Sequence, residues 1–243
     1  MEAVVVLLDY DGTLVPLAPR PELAAPDAEA LEIVRELAAA AEVHVVSGRT
    51  REVLEAWLGA LPVALHAEHG LWTRPVGGAW RARFAPDASW LAEVERAMQR
   101  ATARAPGSTV ERKSASMAWH YRVADPAAAA EALAWLREEL APLPARGLDL
   151  LDGACVLEVR DRRANKGAVA REIVASARPA ARVVAFGDDT TDEDMFAALP
   201  HGALTVKVGG GPTIARERVR DVAAARKRMR RLARGARDVN NDE

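Results

Sequence analysis

Cysteine is nearly absent from this 243-residue chain: Cys155 stands alone, so no internal disulfide can form. Long apolar runs are missing too. The longest, Ala3 to Leu8, has six residues, against the roughly 20 that a membrane-crossing helix needs. No charged segment followed by a long apolar stretch lies near Met1, so no secretory leader is expected and the cytoplasm is the expected address. Aromatic residues make up 5% of the chain, and the six tryptophans (57, 72, 80, 90, 119 and 135) lack the spacing of a stacking motif. They are expected in cores or at a seam between domains. Lysine is scarce: Lys113, Lys166, Lys207 and Lys227 stand against 29 arginines, so each retained lysine hints at a place that wants a compact, mobile ammonium.

The chain is 50% hydrophobic and 28% charged, which excludes a disordered protein and suits one large domain or two small ones. A net charge of -2 hides an asymmetry. Between Arg216 and Arg237 there are ten basic and two acidic residues, giving +8 there and -2 - 8 = -10 elsewhere. Ala223 to Arg237 reads as a solvated basic terminal helix with a frayed end. No aromatic interleaves in it, so nucleic acid is not expected as a partner. No membrane partner is expected either, and the chain is expected to be a monomer.

Ala3–Leu8 is a valine-rich run that meets a Gly-containing turn, the pattern of a strand buried on both faces. Helical spacing over Asp27–Ala41 and a second apolar strand at Glu42–Val46 complete a β-α-β unit. Val63–His66 and Arg182–Phe186 repeat the strand signal, with helices at Thr50–Leu58 and Asn165–Ala177. The ends of the chain therefore predict one parallel, doubly wound α/β sheet of Rossmann-like type. The middle predicts helix (Ser89–Ala103), strand (Ser108–Lys113), strand (Ser116–Val123), helix (Pro126–Leu140), strand (Gly147–Leu151) and strand (Ala154–Arg160). This αββαββ order reads as an inserted α+β module over 84–160, with the core formed by 1–83 and 161–243. Cys155 is expected to pack in one of its strands.

Four motifs carry chemistry. Asp9-Tyr10-Asp11-Gly12-Thr13 places two carboxylates at the carboxyl end of a buried strand, where open α/β sheets bind ligands. If Asp9 attacks phosphorus, Asp11 can protonate the leaving oxygen and later activate water. In isolation the same residues read equally as an ordinary Asp-Gly turn. Ser47-Gly48-Arg49 ends the next strand with a hydroxyl and backbone N–H groups suited to a phosphate oxygen, or simply with a helix N-cap. Asn165-Lys166-Gly167 opens a helix with one of the scarce lysines. Gly187-Asp188-Asp189-Thr190-Thr191-Asp192-Glu193-Asp194 packs five carboxylates into seven residues after a buried strand. Such density repels itself unless a cation is present, and Mg²⁺ needs only one or two protein carboxylates beside phosphate and water. The macrodipole of a following helix accounts for Glu193 and Asp194.

In this order the motifs resemble the haloacid dehalogenase superfamily of aspartyl-phosphate phosphatases, and the inserted module resembles the C2-type cap of its sugar-phosphate members. Ala67-Glu68-His69-Gly70, Glu111-Arg112-Lys113, His120-Tyr121-Arg122, Leu157-Glu158-Val159-Arg160 and the Gly187–Glu193 segment are together similar to trehalose-6-phosphate phosphatases. The resemblance implies Asp9 as nucleophile and Asp11 as general acid/base. It implies Ser47, Gly48 and Lys166 on the phosphate, and Mg²⁺ held by Asp9, Asp188 and the Asp11 carbonyl oxygen. Asp189 and Asp192 become supporting residues, while Glu111, Lys113, Glu158 and Arg122 are expected to meet sugar hydroxyls. The implied substrate is trehalose 6-phosphate, with cap closure hinged near Phe84 and Asp161. Sucrose phosphate, mannosyl-phosphoglycerate and a non-catalytic phospho-accepting regulator are the alternatives. Alternation along Thr109, Glu111 and Lys113 fits a sugar site and a solvated strand face equally well, and a pair of edge-strand salt bridges is the other reading of Glu111, Lys113 and Glu158.

Overall fold

The Ala3–Leu8 run becomes a central strand because both of its faces are covered. In β1 (Val4–Leu8), Val6 and Leu8 enter one apolar cluster while Val5 and Leu7 enter another, the two-sided burial of a parallel sheet. The structure, a computed structural model, describes residues 3–241. It divides into one unit formed by Met1–Arg83 with Asn165–Glu243 and a second formed by Phe84–Ala164. The second junction falls four residues beyond the sequence-derived boundary.

In the first unit α1 (Ala28–Ala38) follows β1, capped by Asp27, whose carboxylate accepts the N–H of Ala30. Next come β2 (Glu42–Val46), α2 (Arg51–Leu58), β3 (Ala64–Ala67), β4 (Trp72–Arg74) and β5 (Arg81–Ala82). Strand β2 pairs parallel with β1, and β3 with β2. Strands β4 and β5 add an antiparallel edge absent from the sequence reading. They are three and two residues long, too short to show a period.

The second unit contains α3 (Leu91–Arg104), β6 (Thr109–Arg112), β7 (Ser116–His120), α4 (Pro126–Leu140), β8 (Leu148–Gly153) and β9 (Val156–Asp161). Its strands form an antiparallel sheet in the order β6-β7-β9-β8. Alternate residues Met117, Trp119, Leu157 and Val159 pack with Leu91, Val94 and Leu136 of the helices in one core. Cys155 is not in a strand: it occupies the two-residue β8–β9 turn with φ +62°.

The first unit resumes with α5 (Lys166–Ser176), β10 (Arg182–Gly187), α6 (Thr190–Ala198), β11 (Leu204–Val208), β12 (Glu217–Val219) and α7 (Val222–Asn241). The completed sheet runs β12-β11-β10-β1-β2-β3-β4-β5. Residues of α1, α2 and α7 pack in the cluster with Val6 and Leu8, and those of α5 and α6 in the cluster with Val5 and Leu7, so the sheet is doubly wound as expected. Strands β11 and β12, also missing from the sequence reading, pair parallel beyond β10.

The basic terminal helix is a correction. Ala225, Met229 and Ala233 of α7 are buried, and Arg226, 7% exposed, donates from Nε to the Leu14 carbonyl at 2.8 Å and from Nη1 to Asp27 at 2.8 Å and Glu29 at 3.0 Å. An apolar stripe at three-to-four-residue spacing docks the helix, while Arg228 and Arg230, half-buried, pair with Glu217 and Glu29 and Arg231 and Arg234 are exposed. Side chains beyond Gly235, including Arg237 and the expected frayed end, lie outside the described residues.

Candidate active site

Parallel order brings the carboxyl ends of β1, β2 and β10 side by side, since β1 lies between the other two. Asp9 follows β1, Ser47 follows β2, and Asp188 follows β10. Residues separated by some 140 to 180 positions therefore meet at one sheet edge, the place where open α/β sheets hold ligands.

Asp9 is 4% exposed. Its Oδ1 accepts from Lys166 Nζ at 2.6 Å, and the same ammonium donates to Asp192 Oδ1 at 2.8 Å. Lys166 reaches this place because it is the first residue of α5. Asn165 caps that helix by accepting from Gly167 and Ala168, and its amide donates to Asp194 at 2.8 Å. Asp192 is fully buried and belongs to a capping box: its Oδ2 accepts the backbone N–H groups of Asp188 and Asp189 at 3.0 Å each, while Asp189 caps α6. Asp189 and Asp192 thus hold the turn that presents Asp188.

Oxygen atoms of Asp9, Asp188 and Asp192 come within 4.8 Å of one another. Burial first, then the neighbouring Asp192 charge, pushes Asp188 up to about 7 and raises Asp9 well above the usual carboxylate range, against the opposing pull of Lys166. Burial would lower Lys166, but Asp192 and Asp9 outweigh it and raise it overall. Asp9 Oδ2 is buried and has no hydrogen-bond partner. An orphaned carboxylate oxygen beside a second carboxylate that resists ionisation fits a hard divalent cation with oxygen ligands. Asp192 is poorly placed as a ligand despite its proximity, because its two oxygens already accept three hydrogen bonds.

Gly12 has φ +79°, and a Cβ there would sit 2.0 Å from Asp188 Oδ2, so only glycine lets the Asp9–Thr13 turn approach Asp188. Thr13 Oγ1, fully buried, lies 3.4 Å from Asp188 Oδ1. Gly48 is similarly constrained: a Cβ would lie 2.7 Å from His69 Nε2. Ser47 is buried, and its Oγ accepts the Arg49 N–H at 3.1 Å. The loop is tied to residues after β3 by His69 N–H to the Ser47 carbonyl and Glu68 N–H to the Arg49 carbonyl, both 2.9 Å.

Two basic residues at this edge received no role in the sequence reading. Arg49 grips Asp11 with two hydrogen bonds, Nε to Oδ2 at 2.7 Å and Nη2 to Oδ1 at 2.5 Å. Lys207 of β11, 4% exposed, donates to the Asp188 carbonyl at 2.5 Å and pairs with Glu193 at 3.6 Å. Lysine scarcity together with the apolar Leu204–Val208 stretch was the signal that could have found Lys207. Glu193 and Asp194 are partnered rather than free at the helix start, since Glu193 Oε2 also accepts the Ile214 N–H.

In the second unit Glu111 and Glu158 lie in register on either side of Ala118, on the sheet face opposite Trp119 and Val159. Lys113 Nζ is 3.4 Å from Glu158 Oε1, and Glu111 Oε2 is 2.9 Å from His120 Nε2. Burial raises Glu111, but Lys113 and His120 outweigh it and leave it below the usual range. Glu158 and the Lys113 side chain are 9% and 7% exposed, whereas the Glu111 side chain is 32% exposed and Thr109 is exposed, so this strand face is covered in part and its charges are ion-paired. Arg122 sits apart, donating to the Ala154 carbonyl in the β8–β9 turn at 2.6 Å.

Comparison with known proteins places this geometry. The family described as trehalose-phosphatase matches residues 7–223. The bifunctional trehalose-6-phosphate synthase/phosphatase of Thermoproteus tenax is 45% identical over 230 residues, covering 93% of this chain and 31% of that protein. The chain spans between about a quarter and a third of the length of the curated relatives it matches. Among solved structures, the C-terminal domain of the C. albicans trehalose-6-phosphate phosphatase superposes with a TM-score of 0.89 at 29% identity, covering 96% of this chain and 92% of that one. A haloacid dehalogenase-like hydrolase from Bacteroides thetaiotaomicron shares the fold, with a TM-score of 0.68 at 12% identity over 95% of this chain and 100% of that one.

Proposed function

Since this chain belongs to the trehalose-phosphatase family, we propose that it hydrolyses trehalose 6-phosphate to trehalose and inorganic phosphate, with Mg²⁺ and through a phosphoryl group carried transiently on Asp9. The observation that carries the reading is the buried Asp9–Lys166–Asp192 array beside Asp188. It supplies a nucleophile, a fixed cation and an oxygen-rich cation site at one sheet edge.

Lys166 fixes Asp9 through Oδ1, which orients the carboxylate for in-line approach to phosphorus. The ammonium also offsets the charge that gathers as the phosphate dianion nears a carboxylate. Ser47 and the backbone N–H groups of its loop hold the phosphate oxygens. Asp11 gives a proton to the sugar oxygen as its bond to phosphorus breaks. It then takes one from the water that releases the phosphoryl group from Asp9. Asp9, Asp188 and the Asp11 carbonyl would hold Mg²⁺, which supplies charge neutralisation and Lewis-acid polarisation when bound. Glu111, Lys113 and Glu158 are assigned to the sugar hydroxyls, because charged donors and acceptors match a hydroxyl-rich ring.

The test is phosphate release from a panel holding trehalose 6-phosphate, sucrose phosphate, mannosyl-phosphoglycerate and glucose 6-phosphate, each with and without Mg²⁺. The expected result is Mg²⁺-dependent turnover with trehalose 6-phosphate well ahead of the others. Equal rates for trehalose 6-phosphate and glucose 6-phosphate would remove the disaccharide assignment, and no release from any substrate would remove the enzyme.

A further inference from the structure

Arg49 closes the Ser47–Gly48–Arg49 loop, and the chemistry above leaves it without a task. Its backbone is held at both ends and its guanidinium lies over an aromatic ring. The backbone N–H donates to Ser47 Oγ, the carbonyl accepts from Glu68, and Cζ lies 5.3 Å from the centroid of the Trp57 ring, which itself stacks on Tyr10 at 5.4 Å. Tyr10 is anchored in turn by its hydroxyl, which donates to the Ala24 carbonyl at 2.7 Å. From this held backbone the fork of Arg49 meets both Asp11 oxygens, Nε to Oδ2 at 2.7 Å and Nη2 to Oδ1 at 2.5 Å.

A single hydrogen bond leaves a carboxylate free to rotate about its last torsion, whereas a planar two-point contact fixes its plane. Asp11 must serve two partners in succession. It protonates the sugar oxygen as the P–O bond breaks, then removes a proton from the water that attacks the phosphorus on Asp9. A fixed plane serves both steps, because small misplacements of a reacting group cost large factors in rate.

We propose that Arg49 is a positioning residue for the reaction, aiming the Asp11 carboxylate at the departing oxygen and then at the attacking water. The proposal rests on the reading of Asp11 as acid/base given above. It makes a distinction that loss of folding or of phosphate binding does not. A sugar alkoxide needs the proton from Asp11 in order to leave; p-nitrophenolate does not.

The experiment compares kcat and KM of the full chain with Arg49→Gln and Arg49→Lys, on an alkyl phosphate and on p-nitrophenyl phosphate, in saturating Mg²⁺. General acid catalysis contributes about 10² to 10⁴ in rate, so in Arg49→Gln the ratio of alkyl to aryl kcat should fall by about 100-fold or more. Arg49→Lys, with a point charge in place of a fork, should recover only part of that ratio. An unchanged ratio overturns the proposal, whether both rates fall together, both hold, or only KM rises. A wild-type chain that hydrolyses another alkyl phosphate but not trehalose 6-phosphate ends the substrate assignment while the ratio still tests Arg49. A wild-type chain inert toward alkyl and aryl phosphates ends both.

Discussion

Replacing Asp192 by asparagine changes the chemistry of one terminal atom without changing the shape of the side chain, and the structure makes that change expensive. Asp192 is fully buried; one oxygen accepts from Lys166 Nζ, and the other accepts two backbone N–H groups. An amide has a single acceptor oxygen, so in either orientation its NH₂ faces a donor. The less costly orientation keeps oxygen on the two backbone groups, which preserves the α6 capping box and sacrifices the contact with Lys166. Hydrogen bonds to charged groups contribute about 1.5–3 kcal/mol, and breaking a buried ion pair from one side costs about 3–5 kcal/mol. Two effects reduce the sum. Asp9 stays as a counter-ion 2.6 Å from Lys166, and removing Asp192 relieves the repulsion that helps to raise Asp9 and Asp188. The net expectation is a loss of about 2–4 kcal/mol. At about 2–4 °C per kcal/mol for a chain of this size, Tm should fall by roughly 5–15 °C. Urea and thermal unfolding followed by circular dichroism at neutral pH, without metal, read this directly. A loss below about 1 kcal/mol would refute the claim that this carboxylate holds Lys166 and the Asp188 turn together.

Three further outcomes are expected. Gly12→Ala places a methyl 2.0 Å from Asp188 Oδ2 on left-handed backbone, so Mg²⁺ affinity measured by calorimetry should weaken at least about 10-fold while the folded spectrum persists; unchanged affinity would separate Asp188 from the cation site. Arg226→Met leaves the Leu14 carbonyl without its 2.8 Å donor. Its carboxylate partners are about half exposed and regain water, so the expected cost is about 1–3 kcal/mol in urea unfolding, and no change would return α7 to the status of a solvated tail. Burial, and then His44 and Arg83, lower His66 from 6.5 to about 3. The folded chain therefore refuses a proton that the unfolded chain accepts, and stability falls as pH drops from 6.5 toward 3 by about 1.4 kcal/mol per pH unit. Unfolding at about pH 6.5 and about pH 5 should show a steeper loss for the wild type than for His66→Gln, whereas parallel losses would exclude His66 as the source.

Much of the fold was legible because its signals were local and long. Val4–Leu8 and residues 183–187 are apolar on both faces, as only a central parallel strand needs to be, and three of the four motifs sit where parallel strands end, the fourth opening α5 at Lys166. The edge strands escaped notice for the complementary reason. Trp72–Arg74 is short and half-buried and Arg81–Ala82 is shorter still and exposed, and their pairing is fixed by neighbours rather than by their own pattern. The terminal helix misled through composition. Seven basic residues outweigh in count the few apolar ones that dock it, yet Ala225, Met229 and Ala233 with the guanidinium of Arg226 decide its place. At the site, the sequence showed which carboxylates gather but not which of them are already engaged. That Asp192 is filled by Lys166 and two amides, and that Arg49 grips Asp11, depends on side-chain approach across the sheet edge.

The most direct test of the central claim is to locate the phosphoryl group. Wild-type chain mixed with trehalose 6-phosphate and Mg²⁺, quenched in acid during turnover and digested for mass spectrometry, should carry one phosphoryl group on Asp9. Asp9→Asn should fold, carry none and release no phosphate. A phosphoryl group on any other residue, or phosphate release by Asp9→Asn at the wild-type rate, would contradict the account.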